Sequence, residues 1–272
     1  MNKGFIQKLL PHFIAVIVFV VVAAIYCKPA LQGQVLQQQD IVQWKAMAKN
    51  SFDYKATHGH FPLWTNGMFS GMPAYQIAME PKVAVTPNWL YGLFNLWLPK
   101  PINFFFLACI CFYFLTQVLR INPYIGIFGA LAYAYVTYNP VIIAVGHDTK
   151  MQSIALLPAL IASFIVVYEG KYLLGAALVA VFTALLISLN HMQIIYYTLI
   201  IAAFMTVGYA VRWIRQRNFK HLAVAGAVTI VAGLLGVMSN AVNILVTMDA
   251  AKTTIRGGTE LADANSTKTG LS

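Results

Sequence analysis

The chain has 272 residues, of which 60% are hydrophobic and only 10% charged, and it carries a net charge of +10. A soluble domain carries about 25% charged residues, so the composition excludes an ordinary soluble globular domain and leaves a membrane protein. The basic residues stand at the ends of apolar runs rather than on one soluble element. They read as topogenic signal and as attraction for anionic lipid headgroups, not as a nucleic-acid surface.

The first apolar run covers residues 9–27 and follows a basic segment with Lys3 and Lys8. No small-x-small cleavage site follows it cleanly, and bulky Tyr26 precedes Cys27, so the run predicts an uncleaved anchor rather than a leader peptide. A long outer loop, 28–101, comes next. Within it, residues 41–55 set Ile41, Trp44, Met47, Ala48 and Phe52 at helical spacing, which predicts an interfacial helix. Residues 64–73, with Gly67, Gly71 and Pro73, read as a tight turn. Residues 87–99 carry Trp89, Tyr91 and Trp97 and are too short to span, so they predict a second interfacial segment.

Six more apolar runs follow, at 102–119, 124–145, 151–168, 173–189, 194–210 and 222–246. None alternates with a period of two, and lipid leaves helices as the means of satisfying their backbone. The expected fold is therefore all-α: a polytopic transmembrane helical bundle of about seven spans, forming one domain over 1–246. A polar extracytoplasmic tail, 247–272, reads as the start of a region that continues beyond this chain. Cys27, Cys109 and Cys111 have no metal-ligand spacing and read as small buried hydrophobes.

Seven spans put Lys3, Lys8, Arg120, Lys171, Arg212, Arg215, Arg217 and Lys220 on one side. The positive-inside tendency makes that side, with the N-terminus, cytoplasmic. The other face then receives the 28–101 loop, the 146–150 turn, the Asn190-His191 hairpin and the tail. It also receives seven carboxylates, Asp40, Asp53, Glu80, Asp148, Asp249, Glu260 and Asp263, whereas Glu169 falls on the cytoplasmic side.

Asp40 and Asp148 are the candidate chemical centre. One can act as general base toward an acceptor hydroxyl, or both can hold a divalent cation against a phosphate leaving group. Each also stands where a helix N-cap is expected. His147, His58, His60 and His191 offer, with Asp40, a metal site of mixed nitrogen and oxygen ligands, or simple hydrogen bonds in loops. His12 and His221 fall on the cytoplasmic side. Lys45, Lys49, Lys55, Lys82, Lys100 and Lys150 form either a phosphate-attracting outer surface or the solvated faces of interfacial helices. Asn190 and Gln193 either cap the hairpin or bond a sugar. No P-loop, dinucleotide fingerprint or nucleophile elbow is present in the sequence.

The order of these segments carries a resemblance. QQQD ends at Asp40, PLWTNGMFSGMPAYQ occupies 62–76, GHDTKMQSIALLP 146–158, LNHMQ 189–193 and TTIRGG 253–258. Together they resemble the N-terminal part of YfhO-family bacterial membrane proteins, particularly those of the Bacteroidetes type. The resemblance covers essentially the whole chain but only part of a typical member, which continues with further spans and an outer domain. It implies the GT-C class of polytopic glycosyltransferases of the bacterial plasma membrane, which use polyprenyl-phosphate-linked sugars on the extracytoplasmic face.

By that resemblance Asp40 matches the acid soon after the first span, Asp148 the acid between spans three and four, and the interfacial segments the juxtamembrane helices. Asp40 would be the base. Asp148 with His147 would position the acceptor or a cation, and Lys45, Lys49 and Lys150 would stabilise the departing phosphate, with His191 beside the substrate. The implied acceptor is an envelope glycopolymer or glycolipid. The chain departs from the class in its single acid in the first loop, where many members carry two. Two other classes remain open from the residues: a membrane transporter or lipid flippase, which would need charges at midplane that the spans scarcely have, and a non-catalytic envelope scaffold.

Overall fold

The structure, a computed structural model, describes residues 3–78 and 88–252. Glu80, Lys82, Glu260, Asp263 and the 253–258 stretch lie outside the described residues. The chain forms two compact units, Met1–Asp40 with Thr86–Ser239, and Ile41–Val85 with Asn240–Ser272.

In chain order the helices begin with α1 (Lys3–Tyr26), α2 (Lys28–Leu31) and α3 (Gln39–His58). A two-stranded antiparallel hairpin follows, β1 (Trp64–Thr65) and β2 (Met72–Pro73), with Trp64 opposite Pro73. Then come α4 (Tyr75–Ala78), α5 (Asn88–Phe94), α6 (Ile102–Val118), α7 (Pro123–Ala134), α8 (Tyr138–Val145) and α9 (Asp148–Tyr168). The last are α10 (Tyr172–Ser188), α11 (Met192–Arg215), α12 (Phe219–Met238) and α13 (Ala241–Lys252). The fold is all-α, with the hairpin its sole strand pair among the described residues. Among the described residues four helices are long and apolar enough to cross a membrane, or five if α7 and α8 act as one span; α6 and α10, at 17 residues each, are shorter apolar helices.

The first unit is built around α9, which is buried along nearly its whole length between α6, α10 and α11. Phe104, Phe105, Phe106 and Leu107 of α6 meet Met151 and Leu156 of α9 in one apolar core. Small residues let the helices close up. A Cβ on Gly175 would stand 2.7 Å from the Val167 amide nitrogen, and one on Gly236 would stand 2.7 Å from the Ala180 carbonyl oxygen. Helices in lipid associate by such close backbone approach rather than by hydrophobic exclusion. On α1, Ala15, Phe19 and Ala23 are buried, while Phe13, Ile17, Val21 and Ile25 remain exposed. Phe204 and Ile230 on α11 and α12 are exposed too. A helix apolar on both its packed and its open face is suited to lipid rather than water.

One expected span is broken. The 124–145 run divides into α7 and α8, bent by 43°. Pro140 has no N–H with which to carry the helix through residue 136. The Val136 carbonyl accepts instead from the Asn139 backbone N–H at 2.9 Å, and at the break the Asn139 side chain donates to the carbonyls of Tyr133 and Ala134, both at 3.1 Å. The 222–246 run also stops early, at Met238, and its last residues belong to α13.

The second unit holds α3 from Ile41 onward. Trp44 donates to the Ile77 carbonyl at 2.7 Å and packs edge-on against Phe52, which meets Phe61. The 64–73 segment expected as a tight turn is the hairpin, closed by Phe69, Ser70 and Gly71, all with positive φ.

Candidate functional site at the start of the buried helix

Gly146 ends α8 in the left-handed conformation, φ 113°, and its N–H and that of His147 both reach the Ile142 carbonyl. That turn, which favours glycine, delivers Asp148 as the first residue of α9. The helix dipole there favours a carboxylate. Asp148 is 7% exposed. Its Oδ1 accepts from Gln38 Nε2 at 2.8 Å and its Oδ2 from Lys100 Nζ at 2.7 Å. Gln38 also donates to the Ile143 carbonyl at 2.6 Å, which ties the strand of chain before α3 to the end of α8. Neither expected N-cap forms. Asp40 and Asp148 both lie inside the first turns of their helices, and their side chains turn to other partners.

Asp40 Oδ2 lies 3.5 Å from His147 Nε2, with both side chains half-exposed. The second acid is therefore brought to the residue that adjoins the first. Burial pushes His191 below its ordinary value, and the charges of Lys150 and His147 push it the same way. Lys150 Nζ sits 5.2 Å over the Tyr138 ring. Five of the expected site residues, Asp40, His147, Asp148, Lys150 and His191, thus gather in the first unit. Lys45 and Lys49 belong to the second unit, where Lys45 is exposed and Lys49 pairs with Asp53 one turn along at 2.6 Å. His58 and His60 are also in that unit; His58 stacks on Tyr54 at 4.0 Å. Among the described residues no three His, Cys, Asp or Glu side chains come together as a metal site. Gln193 donates to the Tyr197 hydroxyl at 2.8 Å rather than capping the hairpin.

Sequence reasoning counted Lys100 among the outer lysines but not as a partner of Asp148, and did not single out Gln38. Gln38 stands two residues before Asp40, and Lys100 lies between two prolines at the mouth of α6; neither position marks it from sequence as a carboxylate partner.

A groove of about 270 Å³ adjoins this cluster. Tyr26, Pro29, Val35, Leu36, Phe105 and Ile143 line it, with Pro101 next to Lys100. Ile143 joins the two: it lines the groove, and its carbonyl accepts from Gln38, the side chain that also donates to Asp148. No protein-family model, curated protein or solved structure matches this chain.

Proposed function

We propose that the chain is a GT-C-type glycosyltransferase, moving a sugar from a polyprenyl-phosphate carrier to an envelope acceptor on the extracytoplasmic face. In this reading all seven apolar segments cross the membrane, with α7 and α8 as one bent span and the N-terminus in the cytoplasm. The YfhO-family resemblance supports it. The observation that carries it is that Gln38 ties Asp148, of the Asp40–His147–Asp148–Lys100 cluster, to Ile143, which lines an apolar groove. A lipid-linked donor needs both parts: apolar lining for its chain and fixed charge for its head.

Asp40 is the base. It is half-exposed and its His147 contact is long, so one oxygen can take the acceptor proton as the acceptor oxygen bonds to the anomeric carbon. The anomeric carbon–phosphate oxygen bond breaks, and its electron pair leaves on the phosphate. Lys100 and Lys150 are the cations at hand for that charge. Asp148, with both oxygens engaged, holds Lys100 and Gln38 in place rather than reacting. A non-catalytic scaffold is the second reading, and the full engagement of Asp148 favours it.

The two readings separate in membranes that contain the full chain and a polyprenyl-phosphate sugar. Asp40→Asn should lower transfer by about 10²–10⁴-fold, the usual share of a general base, at unchanged protein level. Unchanged transfer in that variant, or none in the wild type, would leave the scaffold.

A further inference from the structure

The other end of α9 carries a second cavity that the transferase reading does not use. It measures about 490 Å³ and is lined by Arg120, Glu169, Arg212, Trp213, Gln216 and His221, among others. These come from the ends of α6, α9 and α11 and the start of α12, so the cavity is assembled by four helices of the first unit.

Its wall is built and fixed. Trp213 is 6% exposed, packs edge-on against Tyr168 at 5.4 Å, and has the His221 ring edge-on at 4.7 Å. His221 Nε2 donates to the Tyr168 carbonyl at 2.8 Å, and its Nδ1 bonds the Tyr172 hydroxyl. Both ring nitrogens are used by the protein, so His221 shapes the cavity and leaves charge to the arginines. Arg120 reaches Glu169 only at 3.5 Å, with its side chain 80% exposed. Arg212, in the last turn of α11, is exposed and has no carboxylate partner among the described residues. Two guanidiniums against one carboxylate leave the cavity cationic. Lys171, Arg215, Arg217 and Lys220 lie in the adjoining helix ends and links.

We propose that this cavity holds the phosphate of an anionic lipid headgroup. Guanidiniums bind phosphate through paired N–H donors. Trp213 and Tyr209 at the end of a membrane-length helix stand where aromatic side chains meet headgroups, and basic pockets between such helices take anionic lipid heads. The volume suits a headgroup rather than a bare ion. This assignment is independent of the transferase chemistry at the far end of α9.

The test uses the full chain in micelles, with retention of phosphatidylglycerol against phosphatidylcholine read by native mass spectrometry. Arg120→Gln with Arg212→Gln should lower phosphatidylglycerol retention by about tenfold or more, the loss expected for charge-assisted bonds. Glu169→Gln should raise it, a readout that stands even where the double variant folds poorly. Lys171→Gln, beside the cavity but not in its lining, should lower it far less than the double variant does. Undiminished retention in a folded double variant, equal loss in Lys171→Gln, or no gain in Glu169→Gln would overturn the assignment. So would stripping of the lipid by millimolar inorganic phosphate, which would reassign the cavity to the free ion.

Discussion

The two ends of α9 solve the same electrostatic problem in opposite ways. At its first residue a carboxylate sits at the positive end of the helix dipole, is 7% exposed, and has each oxygen matched to a donor. At its last turn the signs reverse: arginines gather at the negative end, and Glu169 has one arginine at 3.5 Å. The first end is a closed, paired charge beside an apolar groove; the second is open, cationic and nearly twice as roomy. Charge that is buried and paired is costly to remove because its partners are stranded, whereas exposed charge is cheap to remove and serves mainly what binds it. Function and stability should therefore be coupled at Asp148 and separable at Arg120.

Substitutions at the two ends test that contrast, beginning with Asp40→Asn and its loss of transfer described above. Next in size, Asp148→Ala should lower stability by about 1.5–3 kcal/mol, because Gln38 and Lys100 lose a charge-assisted acceptor; the measurement is denaturant unfolding of the reconstituted chain. A comparable cost of about 1–3 kcal/mol should follow Gly175→Val, which forces a side chain against the Val167 backbone. Because Gly175 packs near the arginine end, that variant should reduce phosphatidylglycerol retention more than sugar transfer. Glu169→Gln should change stability by no more than about 0.5 kcal/mol, as expected of a long, exposed ion pair. Equal costs for Asp148→Ala and Glu169→Gln would erase the distinction between the ends.

The smallest effect is one of pH. His191 is held below its ordinary value by burial and by Lys150 and His147, so the unfolded chain binds its proton more readily than the folded one. Stability should be flat above about pH 7 and should fall as pH drops below about 6.5, the ordinary histidine value. Thermal unfolding between pH 5 and 8 reads this, and His191→Gln should flatten the acid side of the profile.

The helices were legible because a run of apolar residues in lipid has few other structures open to it. The bend between α7 and α8 was not read from the 124–145 run, nor were the two carbonyls that Asn139 bonds, since those bonds depend on the bend itself. Asp40, His147 and Asp148 stood out as polar groups beside apolar runs. Their true partners did not, because Gln38 and Lys100 meet Asp148 across 110 and 48 residues of chain, and no local pattern encodes a contact that tertiary packing creates. Lys45 and Lys49 show the converse. Sequence allowed them either a phosphate surface or a solvated helix face, and Lys49 is taken up by its own helix neighbour Asp53.

The most direct measurement is photocrosslinking of a polyprenyl phosphate bearing a photoreactive group near its head, mapped by peptide mass spectrometry on the full chain in membranes. Labelling should fall on Leu36, Phe105 and Ile143, and excess unlabelled polyprenyl phosphate should compete it away. Labelling spread evenly over the exposed apolar faces of α1, α11 and α12, with those three residues spared, would contradict a donor site at the start of α9.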